Sequence, residues 1–470
     1  MADNPLFLSI AEIAARFAGG SLDPIALTER HLARIEEVEP RLAAFQLVDP
    51  VRARAMAAQS ATRWKEGRPV SALDGVPMTI KDNTDVAGWP TRNGSLTTSD
   101  APAAADAPVV ARLREAGAVF LGKTTTPEFG WKGLTDSRLR GGATRNPWNI
   151  GRSPGGSSGG GAAALAAGVG ALAFGNDGGG SIRIPAALSG VFGIKPTFGR
   201  VPHVPLEGFF ATVVAGGPLS RNVADAAAAL AVMAGPDARD WYALPPPAAG
   251  WLDGILPRLG GLRIAYAPDL GGAQADPTVR GVIDQAIATL QAGGCTIEAV
   301  GPVISPLKPL FEAFWTASFA TRMRAVPPEQ WDLIDPGYVA VARQGMAVGV
   351  DAVLEGERNR ARLHREITAM FETHDLLLTP TTPHAAPSVE TEYHAQGYDR
   401  WADGVPYTLA FNLTGHPAAS IPCGLTEEGL PVGLQVVGPK YGERAVLAAC
   451  AAIELLLGFN AGREARMAAF

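Results

Sequence analysis

Only three cysteines, Cys295, Cys423 and Cys450, stand in 470 residues, and they lie far apart. Their odd number and spacing exclude a disulfide framework and a zinc-ligand pattern, and fit a reducing compartment. Charge is scarce as well. Charged residues make up 18% of the chain, the net charge is −6, and no long block of one sign occurs. Phosphate recognition needs clustered Lys and Arg, so the composition argues against a nucleic-acid partner. The opening "MADNPLFLSIAEIAARFAGG" lacks the basic start of a secretory leader, and Glu12 and Arg16 interrupt its apolar run. A membrane-length span is missing too. Ser153 to Asn176 carries no charge, but its first half is Pro, Gly and Ser, and the apolar remainder is short enough to read as core. The expected setting is cytoplasmic, with no membrane partner.

Hydrophobic residues are plentiful instead, at 47%, enough for a large core. Apolar residues recur every three or four positions in "SIAEIAARFAGG", "ALTERHLARIEEVEPRLAAF" and "APVVARLREAG" (107–117), which predicts helices. Short apolar runs bounded by turn signals predict strands at "DGVPMTIKDN" (74–83), "AVFLGKT" (118–124) and "GALAFGND" (170–177). Later strands are expected at 262–268, 375–380, 418–424 and 432–438. This alternation is that of an α/β protein with a mostly parallel sheet. The region from about 303 to 373 reads as helical, and "LPPPAAGW" (244–251) as a surface loop. No repeat or flexible linker divides the chain, so one domain over 1–470 with a helical excursion is expected.

Two motifs mislead. "GAVFLGKT", Gly117 to Thr124, matches the phosphate-binding P-loop pattern letter for letter. Its middle residues Ala, Val, Phe and Leu favour a buried strand, so the match is one of chance. "GGSSG", Gly155 to Gly159, satisfies the nucleophile-elbow pattern around Ser157, yet a Pro- and Gly-rich loop precedes it where that fold requires a strand. The one conspicuous histidine downstream, His416 in "LTGHPAAS", reads as filling a turn. A Ser-His-Asp esterase of the α/β-hydrolase type is therefore a weaker alternative.

The stretch "AFGNDGGGSIRIPA" (173–186) demands more. Glycine inside regular structure costs about 0.5–1 kcal/mol against alanine, so three in a row mean that backbone is needed there. Amides converging after a strand suit the oxyanion formed when a serine attacks a carbonyl, each such donor lowering the barrier by about 2.7–4 kcal/mol. A glycine-rich turn with a capping serine is the competing reading, and this stretch alone leaves the two even. Ser181 would need a base. Lys81, ending the apolar "VPMTI" run, serves if burial brings its amine from about 10.4 towards 7–8, a difference of roughly 4 kcal/mol.

Taken together, "GVPMTIKDN", "RSPGGSSGG", "GNDGGGSIRIPA", "GIKPTFGRVP", "GPLSRNVADAA", "LLLTPTTP" and "FNLTGHPAASIPCGLTEEGLPVGLQVVG" resemble the amidase signature family of serine hydrolases. The likeness covers nearly everything beyond residue 70, with a signature core at about 70–235 and the helical pocket region at about 303–373. The serines of "PGGSSGG" and "GGSIR" stand 24 residues apart, which is highly specific. The resemblance implies an α/β/α fold, a large twisted mixed sheet between helices. It also implies a triad of Lys81 as base, Ser157 as bridging serine after a cis Gly156–Ser157 bond, and Ser181 as nucleophile. The amides of Gly178, Gly179, Gly180 and Ser181 would hold the oxyanion, an acyl-enzyme would form, and Ser158, Asp177 and Arg183 would support the serine loops. Two positions depart from the family: Asn176 replaces the usual Thr, and Gly178 stands where a larger residue is common.

The family implies neither metal nor cofactor and a small-molecule amide, ester or carbamate as substrate, and it allows a homodimer. Gly130 and Trp131 in "EFGWKG", Phe209 in "HVPLEGFFATVV", and Tyr398 and Trp401 are the candidate pocket residues. They suggest a hydrophobic or aryl linear amide, with esterase and urethanase activity beside it. The A subunit of the glutamyl-tRNA(Gln) amidotransferase is the main alternative within the family. That component commonly carries Gln after the Arg of "GGSIR"; Ile184 here favours a free-standing hydrolase.

Overall fold

Short strands that bury both faces need helices on either side, and the chain supplies them. The computed structural model describes residues 4–204, 211–390, 401–468 and 470, and of these only the backbone at 308–312, 401–402, 461 and 465. In chain order the strands are β1 (Phe45–Val48), β2 (Pro77–Lys81), β3 (Val119–Thr124), β4 (Asp136–Ser137), β5 (Gly142–Ala143) and β6 (Leu172–Asp177). Then come β7 (Phe192–Lys195), β8 (Ala215–Ser220), β9 (Ile264–Tyr266), β10 (Ile297–Ala299), β11 (Leu376–Pro380), β12 (Ala418–Leu425) and β13 (Pro431–Val437). Among the described residues, eleven form one sheet in the order β1-β3-β2-β6-β8-β7-β12-β13-β11-β9-β10, and β4 and β5 pair with each other.

The sheet is mixed rather than mostly parallel, which corrects the expectation drawn from alternation and agrees with the one drawn from resemblance. Parallel pairing is confined to β2 with β3 and β6, and to β9 with β10 and β11. The centre is antiparallel because β12 and β13 form a hairpin and β8 runs against both β6 and β7. Pattern reading gave no warning of β8. Its sequence "AGGPLS" has Gly, Gly and Pro, which argue against a strand. Gly217 is nevertheless required, since a Cβ there would overlap the carbonyl oxygen of Ile194 on β7.

Side chains alternate across the sheet. On β3, Phe120 faces one layer while Val119 and Leu121 face the other; on β11, Leu376 and Leu378 face the first and Leu377 the second. The first layer holds helices Ile10–Ala18, Pro108–Glu115, Val223–Met233, Pro277–Ala292 and Glu443–Leu457. Their starts are written locally. Ser9 and Glu12 form a reciprocal capping box, and Asn222 caps Val223–Met233. "GAVFLGKT" is the strand β3, and its Lys123 makes a buried ion pair with Asp82 at 3.2 Å, so the P-loop likeness has no structural basis.

The second layer includes Gly159–Ala166, Arg183–Ser189 and the helices Lys308–Arg324, Pro336–Met346 and Val350–Thr373, as the helical reading of 303–373 requires. Among the described residues no single helix is long and apolar enough to cross a membrane. Helices Lys308–Arg324 and Pro336–Met346 touch backbone to backbone at Gly345, where a Cβ would overlap the Thr316 carbonyl. Gly345→Ala should therefore force the pair apart, destabilising the protein by about 1–3 kcal/mol in urea denaturation.

Candidate active site

Lys81 ends β2, with β3 on one side and β6 on the other, and every residue of that strand is buried. Its side chain is 0% exposed. Nζ lies 2.7 Å from the Ser157 hydroxyl and donates to Asn176 Oδ1 at 2.8 Å. Loss of hydration pushes its pKa down to about 7, against a weaker upward pull from Asp177. Ser157 arrives from the loop before helix Gly159–Ala166, and its bond to Gly156 is cis. That helix starts with three glycines because it packs closely: a Cβ at Gly159 would overlap Thr135, and one at Gly160 would overlap Thr125. Gly130, with φ +70°, leaves room for the Ser157 hydroxyl, which would lie 3.2 Å from an added Cβ.

Ser181 follows β6 through the three glycines, and it lines the same cavity as Ser157, Gly130, Gly178 and Asn176. The Ser158 amide donates to the Ser181 carbonyl at 3.1 Å, and its hydroxyl to the Asn176 carbonyl at 3.4 Å, so the two serine loops are stitched together. Asp177 organises the turn. Its carboxylate accepts from the amides of Gly180 at 2.7 Å, Ile182 at 3.1 Å and Arg183 at 3.4 Å. The Gly180 amide, one of the four expected at the oxyanion, is thus engaged by the Asp177 carboxylate. Gly178 and Ser181 line the cavity, whereas Gly179 and Gly180 do not.

Arg183 grips Asp177 with both Nε and Nη2 at 2.9 Å, and both side chains are fully buried. Its remaining donors reach Thr408 O at 2.8 Å, Gln435 Oε1 at 2.7 Å and Asn412 Oδ1 at 2.6 Å. The Arg183 guanidinium holds the Asp177 carboxyl well below the usual carboxylate range, overcoming the cost of burial. Asn412 and Gln435 both lie in the long C-terminal motif, yet nothing in that motif marks them as site residues. Only the fold shows that they meet Arg183.

The cavity wall is aromatic. Phe129, Tyr338, Phe319 and Trp315 line it, with ring centroids 5.4 Å apart for Phe129–Tyr338, 4.9 Å for Phe319–Tyr338 and 5.4 Å for Trp315–Phe319. Trp131 is not part of this surface, contrary to expectation. It is 1% exposed and stands behind Tyr338, its indole reaching Asp335. Phe209 and Tyr398 lie outside the described residues, as does the side chain of Trp401. Trp315, Phe319 and Arg322 also line the cavity, and their spacing on one helix is the signal by which the sequence could have revealed them. Gly178 also gains a reason. A Cβ there would lie 3.2 Å from Val214 and 3.3 Å from Trp315, so the small residue lets the indole settle onto the serine loop.

His416 is buried, paired with Thr414 at 2.8 Å and stacked near His364 and Phe371, as a turn-filling histidine should be. Among the described residues no group of three or more His, Cys, Asp or Glu could hold a metal ion.

The family model for Amidase matches residues 26–447. The acylamidase of Rhodococcus erythropolis is 36% identical over 463 residues, which is 96% of this chain and 96% of that protein. The A subunit of glutamyl-tRNA(Gln) amidotransferase from Myxococcus xanthus (strain DK1622) is 33% identical, over 95% of this chain and 96% of its own. The crystal structure of a bacterial aryl acylamidase belonging to the amidase signature enzymes superposes with a TM-score of 0.89 at 28% identity, over 98% of both chains.

Removing one partner of a buried ion pair leaves a stranded charge, at a cost of about 3–5 kcal/mol. Arg183→Ala should lose stability of that order in chemical denaturation and abolish turnover, because Asp177 would no longer hold the serine turn.

Proposed function

The chain belongs to the amidase family and hydrolyses carbon–nitrogen bonds other than peptide bonds, and we propose that it cleaves hydrophobic or aryl linear amides through Lys81, Ser157 and Ser181. One domain spanning residues 1–470 carries the reaction, free-standing and acting on small molecules. The observation that carries this reading is a wholly buried amine within 2.7 Å of a hydroxyl in the cavity that Ser181 also lines, where loss of hydration pushes the amine's pKa down to about 7.

The chemistry proceeds in two halves. Neutral Lys81 takes the Ser157 proton while Ser157 takes that of Ser181, whose oxygen bonds to the amide carbon. The carbonyl oxygen becomes anionic and is met by backbone amides of the glycine turn, of which Gly178 and Ser181 are residues that line the cavity. The relay returns the proton to the departing nitrogen, the C–N bond breaks, and an acyl-Ser181 ester remains. Water then attacks the ester along the same relay and releases the acid. Esters and carbamates enter the same path, an alkoxide needing less protonation to leave than an amine.

The aromatic wall favours an aryl or otherwise flat apolar group in the substrate. The acylamidase and aryl acylamidase relatives support the amide preference. Ile184 packs its side chain against Gly155 and Gly180, an apolar contact in keeping with a free-standing enzyme.

A panel of anilides, aliphatic amides, esters and carbamates on pure protein should show anilides among the best substrates; activity confined to glutamine-dependent transfer on charged tRNA would refute the reading. Ser181→Ala should cut turnover by more than about 10³-fold and abolish labelling by a fluorophosphonate. In the wild type, kcat/KM should rise with pH through about 7 and level off above it, since the active form of Lys81 is the deprotonated one. A profile flat from acid to base would rule out the lysine base.

A further inference from the structure

A neutral primary amine has two N–H bonds and one lone pair, so wherever its hydrogens are anchored its lone pair is aimed by default. Among the described residues, Lys81 Nζ has two hydrogen-bond partners, the Ser157 hydroxyl and Asn176 Oδ1. The hydroxyl can donate or accept; the amide oxygen can only accept. An N–H of Lys81 must therefore go to Asn176, which leaves Ser157 as the group able to meet the lone pair.

Asn176 is itself held in place. Its Nδ2 donates to Asn83 Oδ1 at 2.9 Å, and Asn83 Nδ2 donates back to Asn176 Oδ1 at 3.1 Å. The Thr84 hydroxyl donates to the same Asn83 oxygen at 3.3 Å. Flipping the Asn176 amide would break both reciprocal bonds and turn an NH₂ group at Lys81, so the pair fixes which atom the amine sees.

We propose that Asn176, locked by Asn83, is a positioning residue that orients the Lys81 amine towards Ser157 while offering it no negative charge. This inference rests on Lys81 being the base. An amide suits the task because a carboxylate at 2.8 Å would stabilise the ammonium and spoil the base. The other charged and titratable groups nearby are disposed accordingly. Asp177 on β6 is committed to Arg183, with Lys195 of β7 beyond it, and Asp82 is paired with Lys123. Asp85 and His203 line the cavity. None of these takes a hydrogen bond from Lys81.

The test is the pH profile of kcat and kcat/KM for two variants on an anilide, with folding checked by circular dichroism. Asn176→Ala should lower plateau kcat by about 10- to 100-fold with KM little changed, while its acid limb moves to lower pH because the ammonium loses an acceptor: more free base, yet a slower enzyme. Asn176→Asp should move the acid limb up by about 1–3 pH units and recover turnover at alkaline pH. A loosened fold would lower the rate at every pH without moving the limb. Wild-type plateau kcat in Asn176→Ala, or an unmoved limb in Asn176→Asp, overturns the proposal. If Asn176→Asp does not fold, Asn83→Asp brings a carboxylate one side chain further out, where the limb should shift the same way by a smaller amount, and an unmoved limb counts equally against it. Lys81→Ala separates the two claims. Retained turnover there removes the lysine base itself, whereas lost turnover with unshifted Asn176 variants removes only the role of Asn176.

Discussion

An amine deprived of water at the end of an interior strand constrains everything around it. Lys81 touches an amide oxygen and a hydroxyl but no carboxylate, so burial outweighs the attraction of Asp177 and the free base becomes available near neutral pH. Keeping that site dry takes close packing. β2 lies between β3 and β6, and the glycine-led helix Gly159–Ala166 presses onto Thr125 and Thr135, distances that no side chain larger than hydrogen would permit. The helix that packs so closely here is the same one whose preceding loop presents Ser157.

A few residues away the opposite solution is used. Asp177 and Arg183 remain charged in the interior because their hydrogen-bonding capacity is met. Five bonds from the guanidinium reach Asp177, Thr408, Gln435 and Asn412, joining the serine turn to the C-terminal half of the sheet. Asn412 closes the circuit by donating to the Asp177 carboxylate at 2.9 Å. One charge is neutralised by desolvation and the other preserved by pairing, and the difference lies in which partners each side chain finds within hydrogen-bonding reach. The same carboxylate that anchors Arg183 also takes the Gly180 amide, so the turn is rigid.

Much of the fold was legible where the local pattern and the tertiary environment agree. β2, β3, β6, β11, β12 and β13 fall where apolar runs end in turn residues, and the capping of Ile10–Ala18 is written in Ser9 and Glu12. β8 was not legible, because its Gly-Gly-Pro composition answers to the closeness of β7 rather than to strand propensity. In the cavity, "EFGWKG" drew attention to its largest residue, yet Trp131 is packed behind the wall and Phe129 faces in. Nothing in a hexapeptide says which of two aromatics will point towards a cavity formed with a helix about 190 residues later.

By itself the sequence marked out the residues to which we assign the chemistry, because a lysine, two serines and a run of glycines at those spacings are chemically peculiar wherever they fold. It also determined the alternation that builds a layered α/β protein, since periodicity is a local property. The tertiary structure alone decided the state of each group: that Lys81 is dry, that Asn176 rather than a carboxylate receives its hydrogen, that Gly180 is occupied, and that Trp315 rests over Gly178. Protonation, donor availability and cavity shape are set by neighbours across space, and those neighbours come from strands and helices far apart along the chain.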